Sequence, residues 1–245
     1  MQSIGKSLKS AYKICEPDYT DDHVKELDEL MIRVNFGKHE KADRGTYQHN
    51  YHRAYGKLLG EDRYKIKNVL ECGIWVGLGL LTWARYFPNC MVDGIDKEFQ
   101  WERKIKRLYE LDGSYKLRLN WCDTTNLEMV RRHFNIERYA KYYDIIFDDG
   151  NHFASGQKAT LINLWDYLKP GGWYFIEDIH ERFEPCDKLL EFIEDLSSEG
   201  HEVGWFEYPN NLKVNFDPNK FAGSMHESNL IAIRKKFLTN TQEVQ

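Results

Sequence analysis

Two apolar runs that end in acids constrain this chain more than any other feature. One is Tyr143-Asp144-Ile145-Ile146-Phe147-Asp148-Asp149-Gly150-Asn151-His152, the other Trp173-Tyr174-Phe175-Ile176-Glu177-Asp178-Ile179-His180. A short apolar run bounded by turn residues reads as a strand buried on both faces. Between them lies a helix-length segment, Ala154 to Leu168, closed by Lys169-Pro170-Gly171-Gly172. The pattern is strand, crossover helix, parallel strand. Parallel neighbours lie about 4.8 Å apart and end on the same edge of the sheet, so Asp149, Glu177 and Asp178 are expected to converge. Three carboxylates at the end of an apolar sheet repel one another and need a cation. A hard divalent metal is the expected cation, with His152 working beside it. Each residue also has a plainer reading: solvated strand ends for the acids, an ordinary loop residue for His152. Asp148 is read as a cap of the following turn and not as a ligand.

The surroundings read as an open α/β sheet. From Asn68 onward, strands alternate with helices. Strands are expected at Val69–Cys72, Val92–Asp96, Leu117–Cys122, Val203–Tyr208 and Leu230–Ile233. Helices are expected up to Phe87, over Lys97–Glu110, Asn126–Phe134 and Glu184–Glu199, with a long loop from Pro209 to Ser228. The expected fold is a Rossmann-like, doubly wound, seven-stranded, mostly parallel sheet. Residues 1–62 look helical, with Leu8, Tyr12 and Cys15 and then Val24, Leu27, Leu30, Met31 and Val34 at helical spacing. They hold too little apolar material to fold alone and are expected to form a cap or dimer-forming segment, so that the protein is a homo-oligomer. The catalytic domain is expected over residues 63–236, with a frayed tail at 237–245.

Composition excludes several classes. A net charge of −5, with basic and acidic residues mixed, argues against a nucleic-acid surface. No stretch approaches the ~20 apolar residues that a membrane span needs, and the N-terminus lacks a signal-peptide core; a cytoplasmic protein is expected. Five scattered cysteines make neither a disulfide framework nor a thiolate zinc site.

A second set of residues points to a nucleoside cofactor. Glu71-Cys72-Gly73 followed by Gly77 lies between a strand and a helix, where a glycine-rich turn lets a ligand approach backbone amides. Asp96 closes the next strand, placed to accept both ribose hydroxyls. Nicotinamide, flavin and S-adenosylmethionine sites all use this turn. Glu71 suits a cationic amino-acid head better than a pyrophosphate, and Asp123 is well placed for an adenine amino group. His49, Tyr51 and His52 stand either to cover the cofactor or to pack on a helix face, and Tyr51 is the expected contact. Arg44 reads equally as a contact to an anionic acceptor group or as a surface ion pair.

On these residues the chain resembles the class I S-adenosylmethionine-dependent methyltransferases, and more specifically the metal-dependent sugar O-methyltransferases of the macrolide-tailoring type. The resemblance is carried by Asp43-Arg44-Gly45-Thr46 with His49 and Tyr51, Leu70-Glu71-Cys72-Gly73 with Gly77, and Gly94-Ile95-Asp96. It continues through Asp148-Asp149-Gly150-Asn151-His152, Leu168-Lys169-Pro170-Gly171-Gly172 and Ile176-Glu177-Asp178-Ile179-His180. It implies that Asp149, Glu177 and Asp178 bind Mg2+ (or Mn2+) and that His152 is the general base. It also implies that Glu71, Gly73, Asp96 and Asp123 hold S-adenosylmethionine, and that the acceptor is a sugar hydroxyl, nucleotide-linked or in a larger natural product. Trp75 departs from the family in replacing a glycine of the turn, Arg44 in replacing a lysine, and Asn151 in replacing a serine. A catechol-type O-methyltransferase and a non-catalytic S-adenosylmethionine-binding protein are the competing readings.

Overall fold

A computed structural model describes residues 21–34, 44, 49–98, 116–180, 184–209 and 227–237. The expected helix around Leu8–Cys15, most of the Lys97–Glu110 helix, nearly all of the Pro209–Ser228 loop and most of the tail lie outside these residues, as do Asp43, Gly45 and Thr46.

The described chain runs α1 (Asp22–Val34), α2 (His52–Leu59), β1 (Asn68–Cys72), α3 (Leu78–Tyr86), β2 (Met91–Asp96), β3 (Leu117–Trp121), α4 (Leu127–His133) and α5 (Ile136–Tyr139). It continues β4 (Tyr143–Asp148), α6 (Ala154–Leu164), β5 (Leu168–Ile176), α7 (Asp187–Ser198), β6 (Glu202–Pro209) and β7 (Glu227–Arg234). The seven strands form one sheet in the order β3-β2-β1-β4-β5-β7-β6. The first five are parallel; β7 runs antiparallel to β5, and β6 to β7. This is the fold class that the alternation implied.

One strand boundary differs from expectation for a physical reason. β5 begins at Leu168, so Lys169-Pro170-Gly171-Gly172 belongs to the strand rather than to a preceding loop. The pairing jumps from Tyr143↔Leu168 to Ile145↔Trp173, a bulge that absorbs the extra residues. Gly171 makes it possible at φ +78, its amide donating to the Lys235 carbonyl at 2.8 Å while the Lys235 amide donates to the Gly172 carbonyl at 2.9 Å. The helix α5 is four residues, about one turn, and has no apolar periodicity that the sequence could show. Asn126 does start α4 as expected, its side chain accepting from the Met129 amide at 3.1 Å.

Strand alternation sorts the core into two layers. Ile145, Phe147, Trp173, Phe175, Leu230 and Ala232 face α1, α2 and α3. Ile146, Tyr174, Ile176, Ile231 and Ile233 face α4, α6 and α7. α1 and α2 bury Leu27, Met31, Val34, Tyr55 and Leu59 in the first layer, so residues on both sides of position 62 share one core. Tyr55 stands edge-on to Trp83, Phe147 and Phe175, with centroids 5.0–5.4 Å away. That packing fixes the Tyr55 hydroxyl at the sheet edge, where the acids end.

Candidate active site

Strand order reverses between β1 and β4, and the crevice at the carboxyl ends of such strands is where α/β sheets bind ligands. A cavity of about 460 Å³ opens there, the size of a small-molecule site. Six of the ten residues expected to serve catalysis, cofactor or metal line it: Gly73, Asp96 and Asp123 on one side, Asp149, His152 and Asp178 on the other, joined by His49, Trp75 and Asn151. Glu71, Gly77, Tyr51 and Glu177 do not.

The β1–α3 turn is built for close approach. Gly73 sits at φ +88, and a Cβ there would come within 2.1 Å of the Asp149 carbonyl oxygen. Gly77 takes φ +79 as the residue before α3. Between them Trp75 holds φ +44, a left-handed conformation that costs a side chain about 1–2 kcal/mol. The turn aims the amides of Ile74 (2.9 Å) and Trp75 (3.3 Å) at Asp96 Oδ2, while Asp96 Oδ1 accepts from the Glu98 amide at 3.0 Å. Asp96 is therefore rigidly oriented, with one lone pair of Oδ1 still open. Asp123 is held the same way, accepting from the amide and hydroxyl of Thr125 at 3.0 and 2.7 Å.

On the other side, His152 Nε2 lies 3.3 Å from Asp149 Oδ1 and its Nδ1 lies 3.8 Å from Asp178 Oδ2. The hydrogen bond to Asp149, then the charge of Asp178, push the His152 pKa up to about 9 against the pull of burial. Tyr51 is fully buried, and its hydroxyl donates to Asp178 Oδ1 at 2.6 Å while accepting the Asp178 amide at 3.1 Å. Tyr51 thus holds an acid of the cluster rather than lining the cavity. Asp178 itself has φ +54, which turns the chain out of β5 and brings its carboxylate to the cavity.

Glu71 and Glu177 point the other way. Both are buried, and both are held by Arg44. Arg44 Nε donates to both Glu177 oxygens (2.8 and 2.7 Å), Nη2 to Asp149 Oδ2 (2.6 Å), and Nη1 pairs with Glu71 Oε1 at 2.8 Å. The Tyr55 hydroxyl donates to Glu177 Oε1 at 2.6 Å. Arg44 is not a surface pair; it is 8% exposed and joins the ends of β1, β4 and β5. Its charge does not cancel the acids. Burial still pushes Glu71 up to about 7 and Glu177 upward, with Arg44 opposing both. Asp148, also buried, accepts from the Tyr174 hydroxyl at 3.1 Å and is pushed up to about 7 by burial.

Sequence reasoning missed Arg44 and Tyr55 as partners of these acids. Strand alternation carried a partial signal: Glu71 follows Leu70, and Glu177 follows Ile176, on the opposite face from the α6 layer. That face is the one α2 covers.

The donor set left facing the cavity fits a divalent cation. One ligand atom each from Asp149, His152 and Asp178 lie within 4.8 Å of one another. Carboxylate oxygens favour magnesium or manganese over softer-site metals.

Comparison with known proteins agrees with this architecture. A family described as a methyltransferase domain matches residues 70–179. The chain is 25% identical to L-olivosyl-oleandolide 3-O-methyltransferase of Streptomyces antibioticus, over 68% of this chain and 40% of that protein. It is 26% identical to mycinamicin VI 2''-O-methyltransferase of Micromonospora griseorubida, over 54% and 32%. The chain thus spans less than half the length of these relatives. Its fold matches that of the MycE methyltransferase of mycinamycin biosynthesis, solved in complex with Mg, SAH and mycinamycin VI, with TM-score 0.60 and 21% identity over 89% of this chain and 56% of that one. Among the described residues no helix is long and apolar enough to cross a membrane. The sheet order, the glycine turn at the β1 end and the match to a methyltransferase domain thus fall on the same stretch, residues 70–179.

Proposed function

We propose that this chain transfers the methyl group of S-adenosylmethionine to a sugar hydroxyl, on a glycosylated natural product or a nucleotide-linked sugar, with help from Mg2+ or Mn2+. The observation that carries the reading is one cavity with a nucleoside-type acid pair, Asp96 and Asp123, on one side and the Asp149–His152–Asp178 cluster on the other. Two relatives named as O-methyltransferases of L-olivosyl-oleandolide and of mycinamicin VI support the acceptor class.

S-adenosylmethionine supplies an electrophilic methyl on a sulfonium, and a bound divalent cation lowers the pKa of a hydroxyl. The chain's residues do the rest. Asp96 accepts from the ribose hydroxyls and Asp123 from the adenine amine. Asp149 and Asp178 would hold the cation; Glu177, the third ligand expected from the sequence, is turned from the cavity and held by Arg44 and Tyr55. His152 Nε2 takes the hydroxyl proton, which requires the neutral ring. Its raised pKa comes from Asp149 and Asp178, so neutralising those two carboxylates also frees His152 to act as a base. Gly73 keeps the β1 turn against the β4 end, so that donor and acceptor sit side by side.

The test is turnover of S-adenosylmethionine against a panel of glycosylated macrolides, nucleotide sugars and catechols, before and after EDTA dialysis. Metal-dependent methylation of a sugar hydroxyl is expected. Activity unchanged by EDTA removes the metal role, and turnover confined to catechols removes the sugar.

A further inference from the structure

We propose that Trp75 is the wall of the donor site that recognises the sulfonium, its indole face taking the positive charge of S-adenosylmethionine. The inference rests on the methyltransferase reading of the cavity and adds a residue to it.

Three observations meet at this residue. Its backbone is left-handed, at φ +44, in a turn whose other positive-φ positions, Gly73 and Gly77, are glycines. Its indole is 73% exposed, more than any other large apolar side chain among the described residues. It also lines the cavity that holds Asp96 and Asp149. Strain and exposure in the ligand-free protein are both costs, and their coincidence at a cavity wall points to a ligand as the compensating partner.

The strand order says which part of the ligand. Along the sheet edge the cavity residues run Asp123 after β3, Asp96 at the β2 end, Trp75 after β1, then Asp149 after β4 and Asp178 after β5. A donor laid along that edge places adenine at Asp123 and ribose at Asp96. Its methyl must point to the Asp149–His152–Asp178 cluster, where the acceptor is activated. The sulfonium then lies between Asp96 and Asp149, at the level of β1. Trp75 is anchored there, its amide bonded to Asp96 Oδ2. Among aromatic faces tryptophan's is the strongest partner for a cation, and it asks for no hydrogen-bond donor. The demethylated product is a neutral thioether and loses that attraction, so the same contact would favour release of product over donor.

Calorimetric titration of the full chain with S-adenosylmethionine and S-adenosylhomocysteine tests this. Trp75→Leu keeps an apolar wall without the ring. It is expected to weaken S-adenosylmethionine about tenfold and S-adenosylhomocysteine less than about threefold. Trp75→Phe is expected to keep most of the preference. Trp75→Gly relieves the backbone, so its ligand-free melting temperature should equal or exceed that of the natural chain while its S-adenosylmethionine affinity falls. Equal weakening of both ligands by Trp75→Leu, no weakening of either, or a ligand-free Trp75→Gly protein that melts well below the natural chain overturns the proposal. Failure of the natural chain to bind either ligand would instead overturn the reading of the cavity as a donor site.

Discussion

Arg44→Met isolates what a single guanidinium does for the end of this sheet. Methionine keeps the apolar stem of the side chain, so the perturbation is the loss of one charge and its hydrogen bonds. The natural chain places that charge on Glu71, Asp149 and Glu177 at 2.6–2.8 Å. Glu71 and Glu177 are 2% and 1% exposed, so no water replaces it. Removing one partner of a buried ionic group costs about 3–5 kcal/mol, because the remaining charge stays buried or must take up a proton. For a chain of this size each kcal/mol lowers the melting temperature by about 2–4 °C, so a fall of about 6–20 °C is expected. The assay is urea and thermal unfolding in EDTA of Arg44→Met, Glu71→Gln and the double variant. The double variant should recover at least about 1 kcal/mol relative to additivity, since residues in one ionic network couple by 0.5–3 kcal/mol. Added Mg2+ should stabilise Arg44→Met more than the natural chain, because the acids lack their resident counterion. An Arg44→Met protein within about 1 kcal/mol of the natural chain, or strict additivity with Glu71→Gln, would refute the argument that Arg44 holds these acids together.

Two further outcomes follow from the same geometry. His152→Ala should reduce turnover at least about a hundredfold at neutral pH while leaving S-adenosylhomocysteine affinity nearly unchanged; near-normal turnover would remove His152 as the base. Stability of the metal-free protein should fall between pH 7 and 9. Asp148 and Glu71 are raised to about 7, so their stabilisation is complete below their unfolded values, declines from there up to about pH 7, and adds only its last part to the fall above 7. His152 is raised to about 9, and its contribution is lost on approach to that value. The histidines that burial lowers, His52, His133 and His201, are already neutral in this window and do not oppose the trend. A melting temperature in EDTA that is flat or rising from pH 7 to 9 would contradict these shifts.

The amino-acid order alone determined the architecture and the edge on which the chemistry sits. Short apolar runs such as Ile145–Phe147 and Trp173–Ile176, bounded by turn residues, read as buried strands, and parallel strands linked by helices end on one edge. Asp96, Asp123, Asp149 and Asp178 therefore reach one cavity, as their positions implied. Tertiary structure decided how neighbouring acids divide their roles. Glu177 and Asp178 are adjacent, yet alternation turns the first toward α2, and the positive φ of the second turns it to the cavity. The cation that meets Glu177 comes from Arg44, 133 residues earlier in the chain. No local pattern encodes such a pairing, because burial and charge choose partners by distance in space.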